Sequence, residues 1–92
     1  MTDSLDLKLT PSPDAYFIAV GDETVLLQVR RSIYYGLNPV GTRIWDGLKD
    51  GRTPRSVCRD LAEEFGEDLA RVEEDARGFV RDLQDHELAI AG

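Results

Sequence analysis

The sequence predicts an α+β fold in which a three-stranded antiparallel sheet is followed by three helices. Residues 15–37 contain three short runs of aromatic and β-branched side chains, separated by turn-forming residues, as in a β-meander. Residues 39–86 instead place apolar side chains three and four positions apart, which is the period of an amphipathic helix. A chain of 92 residues is long enough for one small domain.

The first thirteen residues are set apart from this domain. Three leucines alternate with polar residues between positions 5 and 9, which favours a strand. Two prolines then separate this segment from the rest of the chain. We therefore predict an N-terminal arm or short strand over residues 1–13, with both possibilities left open, and a folded domain over residues 14–92.

The predicted sheet consists of strands at residues 15–20, 24–30 and 33–37. The first turn is Gly21-Asp22-Glu23. The second connection, Arg31-Ser32, contains no glycine, although tight hairpin turns favour residues that accept a positive φ, so its geometry is left open. The middle strand is expected to present Val25, Leu27 and Val29 on one face.

Residues that can cap a helix precede each of the three helical stretches. Asn38 and Thr53 are each followed by proline, and this order is typical of a helix N-terminus. Asp68 can cap the third helix, and Gly66 can end the second. We predict helices over residues 39–49, 54–65 and 69–86, and a last short strand at residues 88–90.

The charge is negative and unevenly distributed along the chain. The net charge is −7, and residues 54–92 contain 11 acidic and only 5 basic side chains. Neither of the last two predicted helices has a basic stripe that could contact phosphates. The sequence therefore predicts no nucleic-acid partner.

Side chains suited to catalysis or metal binding are scarce. The one histidine, His86, and the one cysteine, Cys58, lie on predicted helices, and Cys58 falls on an apolar face where an inert buried thiol is expected. A structural zinc site requires four ligands of these types, and the chain has no glycine-rich phosphate loop. We therefore predict a protein that is not an enzyme, with no metal and no cofactor.

The sequence also predicts a cytoplasmic protein. A single cysteine cannot form an internal disulfide, which favours a reducing compartment. The N-terminus lacks the basic and apolar regions of a signal peptide. No apolar run approaches the roughly eighteen residues of a membrane span, so no membrane association is expected.

The run from Tyr34 to Trp45, Tyr-Tyr-Gly-Leu-Asn-Pro-Val-Gly-Thr-Arg-Ile-Trp, resembles the precursor-peptide recognition domains of ribosomal-peptide pathways. That family is named after the D protein of pyrroloquinoline quinone biosynthesis. The resemblance covers about residues 15–90 and implies a winged helix-turn-helix fold without catalysis. It also implies that the leader of a precursor peptide binds as an added strand and is delivered to a modifying or cleaving enzyme.

The resemblance also implies where the leader binds. The leader would pair with the third strand, residues 31–37, in the groove between that strand and the third helix. Helical spacing places five residues of the third helix along one flank. The candidate peptide-binding residues are Arg31, Ser32, Ile33, Tyr34, Tyr35, Asp75, Gly78, Phe79, Asp82, Leu83 and His86.

Two of these residues each allow two interpretations. A glycine within a helix costs about 1 kcal/mol relative to alanine, so Gly78 requires a reason. That reason is either a docked peptide side chain or close packing against the domain's own sheet. Tyr34 alternates to the strand face opposite Tyr35, so it is either a platform for an apolar leader residue or simply an exposed aromatic.

Within the family, the chain looks most similar to the stand-alone proteins of lasso peptide pathways. This resemblance implies three partners: the leader region of a precursor, a leader peptidase of the cysteine protease type, and a cyclase or other modifying enzyme. The alternatives are a peptide chaperone of the pyrroloquinoline quinone type that serves a radical enzyme, and a winged-helix transcriptional regulator.

Overall fold

The prediction of a three-stranded antiparallel sheet followed by three helices is confirmed. The computed structural model describes residues 3–91. Within them, a 3₁₀ turn at Ser4–Asp6 precedes β1 (Leu9–Pro11), β2 (Ala15–Val20), β3 (Glu23–Gln28), β4 (Ile33–Leu37), α1 (Pro39–Lys49), α2 (Pro54–Phe65), α3 (Leu69–Asp85) and β5 (Ala89–Ala91). Strands β2, β3 and β4 form one antiparallel sheet in that order, whereas β1 pairs with β5 in a separate two-stranded sheet.

The three helices begin where their capping residues predict. The side chains of Asn38, Thr53 and Asp68 each accept a hydrogen bond from a backbone N–H in the first turn of the helix they precede. Gly66 ends α2 in the left-handed conformation, with a φ of 63°. Helix α3 ends at Asp85, one residue earlier than predicted, and His86 is its C-terminal cap.

The connection after the middle strand is longer than expected. Strand β3 ends at Gln28 rather than at Arg30, and residues 29–32 form the loop that leads to β4. Ser32 adopts a φ of 54° in this loop, so a serine provides the left-handed conformation for which glycine is the more common residue.

The core-facing side of β3 is the side that carries Leu26 and Gln28, both fully buried. Val25 and Leu27 alternate with them and point to the opposite side of the sheet. The buried Gln28 amide donates from Nε2 to the carbonyl of Glu87 at 2.6 Å. The face of the middle strand that the sequence marks as apolar is therefore turned away from the helices.

Residues 3–13 pack against the rest of the chain. Leu5 and Leu9 have no exposed surface, and β1 pairs with β5 from Leu9 opposite Ala91 to Pro11 opposite Ala89. The Asp3 carboxylate accepts hydrogen bonds from Arg55 of α2 and Arg77 of α3. Residues 1 and 2 of the predicted arm, and residue 92 of the predicted domain, lie outside the described residues.

The hydrophobic core lies between the three helices, the inner side of the sheet and the N-terminal segment. Trp45 of α1 is almost completely buried in it, and its Nε1 has no hydrogen-bond partner among the described residues. An unpaired buried donor typically costs about 1–3 kcal/mol. Among residues 3–91, no helix combines the length and apolar character that crossing a membrane requires.

Candidate functional site

The outer edge of β4 is open. This strand pairs with β3 on one side, and no strand pairs with its other side within residues 3–91. An edge strand exposes backbone N–H and C=O groups with which an extended peptide can pair. Helix α3 lies beside this edge, so the strand and the helix form the two walls of a groove.

Side chains close one end of the groove. The hydroxyl of Tyr35 on β4 donates to Asp82 Oδ2 on α3 at 2.7 Å. Arg31, just before β4, donates from Nη1 to the carbonyl of Asp85 at 3.1 Å. Strand and helix are therefore bridged here by two hydrogen bonds.

Tyr35 is the central residue of this closed end. Its ring centroid lies 5.9 Å from that of Phe79 and 5.8 Å from that of His86. Burial raises the pKa of Tyr35 to about 12, and the hydrogen bond to Asp82 adds to the effect. The hydroxyl therefore stays protonated at neutral pH and can act as the donor to Asp82.

The other end of the groove is open and forms a cavity of about 510 Å³. This volume lies within the range of ligand-binding pockets. Its walls come from α3, from β4, and from Asn38 with the first turn of α1. The lining residues are Tyr35, Gly36, Asn38, Val40, Gly41, Asp75, Gly78 and Phe79.

Gly78 leaves this cavity open. A Cβ atom at this position would meet no described atom within 4 Å, and the residue is exposed to solvent. Close packing against the domain's own sheet therefore does not explain the glycine. The space above Gly78 is free for a side chain from another molecule.

Gly41 accounts for the position of the Phe79 ring. A Cβ atom at Gly41 would lie 3.3 Å from Phe79 Cε1 and 3.2 Å from Asn38 Oδ1, both tighter than ordinary van der Waals contact. Asn38 Oδ1 is held at this place because it accepts the hydrogen bond from the Gly41 N–H at 2.7 Å. The segment Asn38-Pro39-Val40-Gly41 thus starts α1 and also makes room for an aromatic wall of the cavity.

The other predicted site residues lie in different environments. Ile33 begins β4 and is half-buried, and Ser32 lies in the loop before it. The side chain of Tyr34 is 71% exposed and points to the sheet face opposite Tyr35. Leu83 is fully buried in the core, so its side chain has no exposed surface that a peptide could contact.

Sequence reasoning misses four residues that line the cavity: Gly36, Asn38, Val40 and Gly41. All four fall within the run from Tyr34 to Trp45, so the signal was present. In the sequence, Asn38 is fully explained as a helix cap, and this second role becomes visible only when α3 lies against the start of α1.

Cys58 is a buried free thiol. Burial raises the pKa of the Cys58 thiol to about 11, so at neutral pH it is a thiol rather than a nucleophilic thiolate. Among residues 3–91, no three His, Cys, Asp or Glu side chains come together as metal ligands would.

An open sheet edge beside a groove lined by a helix is the arrangement of a peptide-binding module that works by strand addition. The family model of coenzyme PQQ synthesis protein D (PqqD) matches residues 23–89. The chain belongs to this family, and the resemblance seen in the run from Tyr34 to Trp45 is confirmed.

Two solved structures are similar to this chain. TbiB1, in complex with the TbiA(beta) leader peptide, is 35% identical with a TM-score of 0.76, over 87% of this chain and 93% of that one. Lasso peptide synthetase B1, complexed with the leader peptide, is 25% identical with a TM-score of 0.81, over 90% of this chain and 98% of that one. No curated protein sequence matches the chain.

Proposed function

We propose that this chain is a non-catalytic recognition protein that binds the leader of a ribosomally synthesised precursor peptide. The leader adds as a strand to the open edge of β4, and its side chains on the helix side enter the groove beside α3. The observation that supports this proposal most directly is that the β4 edge is unpaired within residues 3–91 and adjoins a cavity of about 510 Å³.

The proposed contacts divide between the two walls. Arg31 to Tyr35 supply the strand edge, where backbone pairing is nearly independent of sequence. Specificity then comes from the open cavity, where Asp75, Gly78 and Phe79 of α3 face the leader. Asp82 and His86 act mainly by holding Tyr35 in place at the closed end.

The energetics are compatible with this mode of binding. Roughly four or five added backbone hydrogen bonds contribute about 0.5–1.5 kcal/mol each, and two or three buried apolar leader side chains contribute about 1.5–3 kcal/mol each. Ordering a flexible leader removes several kcal/mol of this gain. The expected balance is about −8 kcal/mol or slightly better, which corresponds to a micromolar or submicromolar dissociation constant.

We favour lasso peptide biosynthesis as the pathway. The two similar structures are a lasso peptide synthetase B1 protein with its leader and TbiB1 with the TbiA(beta) leader. On this proposal the bound leader is presented, in the cytoplasm, to a leader peptidase of the cysteine protease type, and a cyclase then acts on the released core peptide.

A second candidate is a peptide chaperone of the pyrroloquinoline quinone type that serves a radical enzyme, because the matching family model is that of PqqD. The two candidates differ in the leader they bind. A winged-helix regulator is disfavoured by charge, because residues 54–92 carry 11 acidic and 5 basic side chains and would repel a DNA backbone.

Fluorescence polarisation with labelled peptides tests the proposal. The leader of the precursor encoded beside this chain's gene should bind saturably, whereas a pyrroloquinoline quinone precursor leader and duplex DNA at physiological salt should not. Binding of the pyrroloquinoline quinone leader alone would favour the second candidate, and binding of DNA alone would favour a regulator.

Two variants test the site in the same assay. Phe79→Ala removes an aromatic wall of the cavity and should weaken leader binding by on the order of tenfold. Phe65→Ala is the matched control, because Phe65 is an exposed aromatic at the end of α2, outside this cavity. Both proteins should keep their circular dichroism spectrum. Equal affinity for both variants would show that the leader binds elsewhere.

A further inference from the structure

The side of the sheet that points away from the helices is mostly apolar. Tyr16, Leu27 and Tyr34 are cross-strand neighbours on β2, β3 and β4, and Ile18 and Val25 form the next pair on the same side. With Val20, these six apolar side chains form what we call the outer face. Glu23, the cross-strand neighbour of Val20, is the one charged strand residue on this side. An antiparallel sheet with one face on the core normally carries polar residues on the other face, so the composition of the outer face is unusual.

The orientation of the outer face follows from contacts on the inner side. Phe17, which alternates with Tyr16 and Ile18, packs under the Lys49 ammonium of α1. Tyr35, which alternates with Tyr34, donates a hydrogen bond to Asp82 of α3. The neighbours of these residues along the strands must therefore point away from the helices.

Three of the six residues of the outer face are exposed, and the other three are half-buried. Tyr16, Val20 and Tyr34 are 55%, 60% and 71% exposed, and Val29 is exposed just beyond the end of β3. The outer face thus contains three of the eight large apolar side chains that are exposed among the described residues. A concentration of this kind on one surface marks an interaction site rather than scattered surface residues.

Neither the leader nor a second copy of this chain can cover the outer face well. A leader strand on β4 lies beside Tyr34, so Tyr16 and Val20 on β2 are three strand spacings, about 14 Å, from the leader. Two strands of six residues and one of five give a face of roughly 14 by 20 Å. Two such faces packed together would bury on the order of 600 Å², well below the about 1,200 Å² of a stable specific interface.

A larger globular partner can cover the outer face and the leader together. A leader strand added to β4 would extend the same sheet, and every second leader side chain would point to the outer side beside Tyr34. A partner on the outer side would contact this chain and the leader across one continuous surface. The buried area would then be larger than the outer face alone provides and could reach that of a stable interface.

We propose that the outer face is the docking surface for the enzyme that receives the leader, and that this enzyme offers an apolar, uncharged patch to Tyr16, Leu27 and Val20. This proposal rests on the proposed function, because the leader is what the enzyme collects. It assigns separate surfaces to the two partners: the β4 edge with its groove to the leader, and the outer face to the enzyme.

Substitutions on β2 test this assignment without touching the leader site. Tyr16→Glu and Val20→Lys introduce opposite charges at exposed positions, so a shared effect reports lost apolar contact rather than a change of net charge. Ala70→Glu and Ala70→Lys make the same changes at an exposed position of α3. The probes are the labelled leader and the leader peptidase encoded beside the precursor gene, and binding of each is measured separately.

We expect Tyr16→Glu and Val20→Lys each to weaken peptidase binding by on the order of tenfold with leader affinity unchanged. The Ala70 variants should change neither affinity.

Unchanged peptidase affinity in both β2 variants, or no peptidase binding by the wild-type chain, would overturn the proposal. If the β2 variants lost a self-association that the wild-type chain shows in sedimentation, with peptidase binding intact, the outer face would belong to a second copy of this chain. That result would also overturn the proposal. If the wild-type chain binds no leader but the β2 variants still lose the peptidase, the proposed function fails and the docking surface stands.

Discussion

Gly78 has a cost to the helix and a benefit to the groove. An interior helical glycine is about 1 kcal/mol less favourable than alanine, and no described atom fills the space where its Cβ would lie. The position is therefore more open than the stability of α3 requires. We propose that position 78 stays small so that the leader can approach the helix.

Substitution of Gly78 should separate stability from binding. Gly78→Ala should raise the free energy of unfolding by up to about 1 kcal/mol, because the added methyl group meets no described atom within 4 Å. Gly78→Leu should keep most of this gain but fill the cavity and weaken leader binding by about tenfold or more. Chemical denaturation and fluorescence polarisation measure the two effects.

The control for Gly78→Leu is Ala70→Leu, at an exposed position on the same helix outside the cavity. It should leave leader affinity unchanged. A Gly78→Leu protein that binds the leader as tightly as the wild type would remove Gly78 from the site, whatever the change in its stability.

Tyr35 links the sheet to α3 through one hydrogen bond, and its protonation makes that link sensitive to alkaline pH. Because the folded protein holds this proton more tightly than the unfolded chain, with a pKa raised from 10.0 to about 12, the stabilisation is fully present below pH 10. It is lost as the pH rises from about 10 to 12.

Tyr35→Phe should therefore lower the free energy of unfolding by about 1 kcal/mol at pH 7. The difference from the wild type should shrink above pH 10. Tyr34→Phe is the matched control, because Tyr34 is largely exposed, and it should follow the wild type at every pH. A constant difference between Tyr35→Phe and the wild type from pH 7 to 12 would contradict the role given to this hydroxyl.

At the scale of elements, the helices were predictable because their boundaries depend on local chemistry. Asn38, Thr53 and Asp68 cap the three helices with their own side chains, and Gly66 provides the left-handed residue that ends α2. Each of these signals lies within four residues of the boundary it determines, so a single sequence contains all the information needed.

The orientation of β3 was not predictable in the same way. The run Val25-Leu26-Leu27 is apolar at every position, so a period of two does not distinguish its faces. Two contacts determine which face of β3 is buried. The Gln28 amide donates a hydrogen bond to the carbonyl of Glu87, and the helices cover Leu26. Both depend on residues far away in the chain, and so does the cavity, which needs α3 beside the start of α1.

The N-terminal segment shows the same dependence on distant residues. Strand β1 finds its partner β5 about eighty positions later, and the carboxylate of Asp3 lies between the guanidinium groups of Arg55 and Arg77. Hydrogen bonds from Arg77 and the Leu5 N–H hold the pKa of Asp3 well below its usual range. The alternating leucines are visible in the sequence, but the surface against which they pack forms only when distant parts of the chain fold together.

Leu5→Ala tests whether this segment belongs to the core. Leu5 has no exposed surface, so truncation should lower the free energy of unfolding by about 2–5 kcal/mol. Leu7→Ala, at a half-buried position, should cost clearly less. Urea denaturation followed by Trp45 fluorescence gives both values, and equal small losses would indicate an arm that adds little to the fold.

At the scale of the whole molecule, the sheet offers two open edges, because β2 and β4 both lack an outer partner within residues 3–91. Of these two edge strands, only β4 lines the cavity beside α3, through Tyr35 and Gly36. Backbone pairing alone would allow a peptide at either edge, so the position of α3 is what should select β4.

Hydrogen exchange with and without the leader tests this selection. Because a ligand that binds only the folded state stabilises it by mass action, leader at 100 times its dissociation constant should add about 2.7 kcal/mol to the free energy of unfolding. Exchange that requires only local opening should slow mainly in β4 and in α3 around Gly78 and Phe79, and should stay unchanged along β2. A scrambled leader of the same composition is the control. Local protection of β2 instead of β4 would place the peptide at the opposite edge of the sheet, where α3 could not contribute to its recognition.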